Sequence, residues 1–116
     1  MAANPVPIQP RNLEVKLQTS ADGTPTLVCR GRISTETSGL WKSEVKKLVP
    51  EHRLIIVDLG EVSYVDSSGL GTLLATYVSA KTSGCTIQLV HLNERVKELL
   101  RLSQLAAVFE GYGEYL

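Results

Sequence analysis

"VDSSGLGTLL", residues 65–74, sets an aspartate, two serines and two glycines between an apolar run and a leucine-rich one. Upstream, "RLIIVDL" from Arg53 is short, apolar and rich in β-branched residues, which predicts a strand buried on both faces. Downstream, "SGLGTLLATYVSAKTSG" reads as a helix that closes on Gly84, a residue suited to the position just past a helix end. The quoted stretch is therefore a strand-to-helix junction. Strands alternating with helices imply crossover connections and parallel pairing, the pattern of an α/β domain.

The flanking sequence extends this pattern in both directions. "LEVKLQT" from Leu13 alternates apolar and polar residues like a half-buried strand, and "TLVCRGRIS" from Thr26 is a second strand. Asp22-Gly23 and Pro25 supply a turn between them, making a hairpin in which Gly31 marks a bulge or a close approach. "TETSGLWKSEVKKLVP" predicts a helix with Trp41, Val45, Leu48 and Val49 on one stripe, stopped by Pro50. "TIQLVHL" from Thr86 is another strand, and Asn93 is a good N-cap for a helix carrying Val96, Leu99 and Leu100 on a narrow apolar stripe. "AAVFEGYGEYL" leaves room for a terminal strand and a last turn of helix. The expected architecture is a single α/β domain over residues 13–116, in the order β-β-α-β-α-β-α. Its mixed central sheet opens with a hairpin and carries helices packed on it. Residues 1–12, with three prolines, are expected to form an extended tail.

Composition narrows the function. With 43% apolar residues in 116, the chain can bury a core without metal or disulfides. Twelve basic residues balance twelve acidic ones, and no basic stripe suggests a nucleic-acid partner. Cys29 and Cys85 sit in apolar, strand-like stretches without metal-ligand spacing, so they are expected to be reduced core residues. No secretory signal or membrane-spanning run is present, which leads to an expectation of a cytoplasmic protein that is a monomer or weak dimer.

Three chemistries compete for the junction. A nucleophile elbow requires glycine two residues before its serine, where Val65 and Asp66 stand before Ser67 and Ser68. Of the two histidines, His52 precedes a strand at the opposite end and His91 has no acidic partner evident from sequence, so no catalytic residue is assigned. A phosphate loop needs longer glycine spacing than Gly69-Leu70-Gly71 provides. A plain helix cap by Asp66 or Ser67 fits. Capping leaves the two glycines unexplained, since each costs roughly 0.5–1 kcal/mol in a helix relative to alanine.

At about 100° per residue, Leu70, Leu73, Leu74, Tyr77 and Val78 fall on the side expected to face the sheet. Ser68, Thr72, Ala75, Thr76 and Ser79 fall opposite them and include no charge. By contrast, Glu94, Arg95, Lys97, Glu98 and Arg101 of the following helix make an ordinary solvated face. A smooth, uncharged helix face beside a hydroxyl suits a closely docking protein.

"IIVDLGEVSYVDSSGLGTLL" resembles the signature of the STAS family, most closely that of bacterial anti-sigma factor antagonists. "CRGRIS" and "NERVKELLRLSQL" add to the resemblance. It implies that Ser67 is phosphorylated by a partner that is both anti-sigma factor and serine protein kinase, with Asp66, Ser68 and Gly69 completing the motif. The unphosphorylated antagonist would bind that partner and free a sigma factor; a PP2C-type phosphatase would restore it after phosphorylation. No cofactor is implied for this chain, since the kinase supplies ATP and magnesium. The expected docking residues are Ser68, Gly71, Thr72, Ala75 and Ser79, with Ile33 and Ser34 nearby. Where sporulation-type members carry acids near the phosphoserine, this chain has Arg32 and Ser34. The alternatives are a scaffold STAS domain in a larger assembly, or a domain that binds a small molecule or nucleotide at the helix N-terminus.

Overall fold

A computed structural model describes residues 12–102. The proline-rich tail and the terminal strand and helical turn expected in "AAVFEGYGEYL" lie outside the described residues. The alternating segment Leu13–Thr19 is strand β1, and the chain returns as β2, Pro25–Ile33. At the turn, the Ser20 hydroxyl and the Thr24 N–H donate to Asp22 and hold its carboxyl down at about 2. Helix α1, Ser38–Leu48, ends in a short 3-10 turn at Val49–Glu51 with Pro50 inside it. Strand β3, Leu54–Val65, leads into helix α2, Ser67–Thr82; β4, Thr86–Val90, and α3, Glu94–Leu102, complete the order β-β-α-β-α-β-α. The strands lie side by side as β1-β2-β3-β4, the first pair antiparallel and the other two parallel. The mixed sheet with its initial hairpin is the one expected.

Two breaks in the β2–β3 register, at Val28/Arg30 and Gly31/Arg32, bend the strands before they reach the junction. Gly31 makes the second break possible. Its φ is +114°, and a Cβ there would lie 2.2 Å from the Asn12 carbonyl oxygen, which accepts the Arg32 N–H at 3.0 Å. Both readings of Gly31, bulge and close approach, hold.

Strand β3 runs past Asp58 to Val65, and its burial alternates. Ile55, Val57 and Leu59 are fully buried, while Leu54, Ile56 and Asp58 are half-buried. The expected burial on both faces is therefore corrected: among the described residues the helices bury one face, and the other stays partly open. The covered side forms one cluster with Trp41 and Val45 from α1, Leu70, Leu73 and Tyr77 from α2, and Val96 and Leu100 from α3. Cys29 and Cys85 are free thiols within it, and burial pushes that of Cys29 up to about 12 and raises that of Cys85. At the C-terminal end of α2, Cys85 N–H donates to Ala80 O and Gly84 N–H to Lys81 O, the paired closure in which Gly84 stands just past the cap.

Helix α2 is rotated from the face its leucines suggest. The buried set is Gly69, Leu70, Leu73, Thr76, Tyr77 and Ala80. Val78, expected to face the sheet, is 51% exposed, Leu74 is half-buried, and Thr76, expected outward, is buried. The cause is a second neighbour. Thr76 and Ala80 line a hollow with Lys46, Val49 and Pro50, so small residues on that side of α2 face the end of α1. A helix wedged between a sheet and another helix buries a wider arc than its apolar stripe indicates. Leu73→Ala should accordingly cost about 2–5 kcal/mol, and Leu74→Ala distinctly less. Equal losses of Tm for the two variants would contradict this rotation.

Candidate functional site

Asp66, between β3 and α2, organises the junction. Its backbone is extended (φ −94°, ψ −178°), and its Oδ1 accepts the Gly69 N–H at 2.7 Å, the geometry of an N-cap. Its Oδ2 accepts the Thr35 N–H at 3.4 Å, and its own N–H donates to Ile33 O at 3.2 Å. One residue thus starts the helix and ties it to the end of β2. Of the two capping candidates, the aspartate caps; Ser67 is the first helical residue and Ser68 the second.

The parallel register sets Arg32 opposite Tyr64 and Ile33 opposite Val65. Helix α2 then starts hard against the β2 end: a Cβ at Gly69 would lie 2.1 Å from Ile33 O and 2.7 Å from its carbonyl carbon. Only glycine permits that approach. A Cβ at Gly71 would meet nothing within 4 Å, and the residue lies exposed, so its role is not steric fit to this chain. After β2 the chain is pinned by Thr37, whose hydroxyl donates to Arg32 O at 2.6 Å and accepts the Ser34 N–H at 2.9 Å.

Ser67, Ser68, Gly71, Ala75 and Ser79 are exposed on α2, joined there by Val78; Thr72 is half-buried. The exposed residues of α2 thus include Val78 and exclude Thr76. Ile33 and Ser34 do not reach it. Ile33 is fully buried because its strand parity turns it to the core, and Ser34 is tucked under the loop at 7% exposure. Thr35 and Glu36, which sequence reasoning passed over, are the exposed residues at that edge.

Beside the junction lies a hollow of about 230 Å³ lined by Arg32, Ser34, Thr35, Glu36, Tyr64 and Asp66. The Arg32 guanidinium carbon sits 4.0 Å from the centre of the Tyr64 ring, a cation–π stack. The histidines lie elsewhere. His52 lines a separate hollow with Ser83 and Gly84, by the far end of α2, and its Nδ1 is 2.8 Å from Leu48 O. His91 does have an acidic partner: its Nδ1 is 3.0 Å from Asp58 Oδ2. The pair is invisible in sequence because it joins positions 33 residues apart through the β3–β4 pairing. Among the described residues no cluster of His, Cys, Asp and Glu could hold a metal ion, and no helix is long and apolar enough to cross a membrane.

A mixed four-stranded sheet with an aspartate-capped helix springing from the end of its third strand defines an α/β domain with the SpoIIAA-like fold. The STAS domain profile matches residues 16–114, and the chain belongs to the STAS domain family. It is 26% identical over 80 residues to the anti-sigma-B factor antagonist of Bacillus subtilis (strain 168), covering 69% of this chain and 73% of the relative. Its fold is similar to an anti-sigma factor antagonist from Mycobacterium paratuberculosis, with a TM-score of 0.76 at 20% identity over 89% of this chain and 87% of that one. The Bacillus cell fate determinant SpoIIAA in its phosphorylated form is also similar, with a TM-score of 0.64 at 15% identity over 88% and 87% of the two chains.

Proposed function

We propose that this chain is an anti-sigma factor antagonist. Its unphosphorylated form binds an anti-sigma factor that is also a serine protein kinase, so releasing a sigma factor, and phosphorylation of Ser67 ends the binding. A PP2C-type phosphatase resets it. The observation that carries the reading is the exposed Ser67 at the first position of α2, beside a helix face without charge until Lys81. Family membership and the similarity to a named antagonist support it.

The physics of the switch is local. Phosphate adds about −1.5 to −2 charge at pH 7 to the edge of a neutral docking surface. The N-terminus of α2 tolerates that charge, so the fold need not open. Repulsion and bulk at the partner's surface are sufficient.

Because Asp66 holds the cap, Ser67 is free to act as a switch without supporting the helix. Ser67→Ala should keep a near-native Tm, bind the anti-sigma factor and resist inactivation by kinase and ATP. Ser67→Asp should also stay folded but bind poorly. Asp66→Ala, by contrast, should lose about 1 kcal/mol of stability. Tandem mass spectrometry after incubation with the cognate kinase and ATP tests the assignment. Phosphate on Ser68 or a threonine, or none at all, would overturn it.

A further inference from the structure

We infer that Arg32, with Ser34, receives the phosphate carried by Ser67, so that the phosphorylated form is held by an ion pair within the chain. The inference rests on the reading of Ser67 as the modified residue. It starts from two orphaned donors at one hollow. Arg32 Nε and Ser34 Oγ are both buried without a hydrogen-bond partner, and Ser34 as a whole is 7% exposed. Buried polar atoms left unpaired are uncommon and costly, and the two residues that carry them both line this hollow, so a group entering it has donors close by to satisfy.

The other lining groups define which group that is. Asp66 already accepts Gly69 and Thr35 N–H groups, and Glu36 stands exposed. Neither offers a donor, and each would repel an anion. Among the described residues Arg32 is the only cation lining the hollow, held over Tyr64 at 4.0 Å with its planar fork of N–H donors. A guanidinium and the hydroxyls of Ser34 and Thr35 are complementary to an oxyanion with several acceptors. About 230 Å³ is room enough for a phosphate, and Asp66, which borders the hollow, is the neighbour of Ser67 in sequence. The phosphate need only turn back past Asp66 to meet Arg32.

The test installs phosphoserine at position 67 during translation, so it does not depend on any kinase. The second ionisation of the phosphate, near pH 6 in the free group, is followed by phosphorus NMR in otherwise native protein and in R32Q. Asp66 and Glu36 raise this value and the helix N-terminus lowers it in both proteins, so the difference reports Arg32. The native protein should titrate about half a pH unit or more below R32Q, because a neighbouring cation favours the dianion. R32K, which keeps the charge and loses the fork, should fall between them. In the native background alone, the Arg32 Nε–H resonance should shift, and its exchange with water should slow, when Ser67 carries phosphate. Identical titrations in native protein and R32Q, or an Arg32 Nε–H signal indifferent to phosphate, would overturn the ion pair. Failure of the cognate kinase to modify Ser67 would instead refute the proposed switch and leave these measurements standing.

Discussion

Gly69→Ala should destabilise the protein by about 3 kcal/mol, a loss out of proportion to one methyl group. The added Cβ would lie 2.1 Å from Ile33 O, and the obstacle is backbone, which no side-chain rotation can clear. Either α2 must move away from β2, or Ile33 O must move with the strand. That oxygen also accepts the Asp66 N–H, and Asp66 caps the helix, so relief of the clash disturbs the whole junction. Gly71→Ala is the matched control. It has nothing within 4 Å, and alanine is the better helix former by about 0.5–1 kcal/mol, so this variant should be neutral or slightly stabilised. Denaturant unfolding of the two proteins decides the point; equal stabilities would show that α2 does not start against Ile33.

The second large effect is on binding. Ala75→Arg should weaken the proposed complex with an anti-sigma factor by about 100-fold or more, equivalent to about 2.7 kcal/mol, while leaving the melting curve almost unchanged. Ala75 is exposed at the middle of the uncharged stretch of α2, where arginine is a good helix residue but a bulky charge for a closely packed partner. Thr76→Arg distinguishes surface from core. Thr76 is only 4% exposed, so this neighbouring variant should fail to fold stably. Isothermal titration of folded Ala75→Arg against the partner gives the answer, and wild-type affinity would mean that docking uses another face.

Much of this arrangement is legible in the chain itself. Alternation in "LEVKLQT", the Asp22-Gly23 turn, the apolar run before Asp66 and the Asn93 cap are enough for the element order and the mixed sheet. The junction is legible for the same reason: Asp, Ser and Gly at a period change from strand to helix have few other uses. These are local signals, carried by neighbours in sequence. Propensity, capping and periodicity act over a turn of helix or a few residues of strand, and the chain states them directly.

What required the tertiary structure were effects arising between segments. The rotation of α2 depends on α1 as a second neighbour, which turns Thr76 inward and leaves Val78 outside. The requirement for glycine at 69, but not at 71, depends on where the end of β2 comes to rest. Ile33 and Ser34 could be placed near the site from sequence, yet strand parity and the Thr37 hydrogen bonds bury both, leaving Thr35 and Glu36 at the surface. The His91–Asp58 pair and the Arg32–Tyr64 stack each join residues distant in sequence, which meet only through strand register. Sequence determined where the chain caps, turns and alternates; packing decided that Asp66 rather than Ser67 is the cap and which face of each element stayed exposed, because burial is a property of neighbours that only the folded chain brings together.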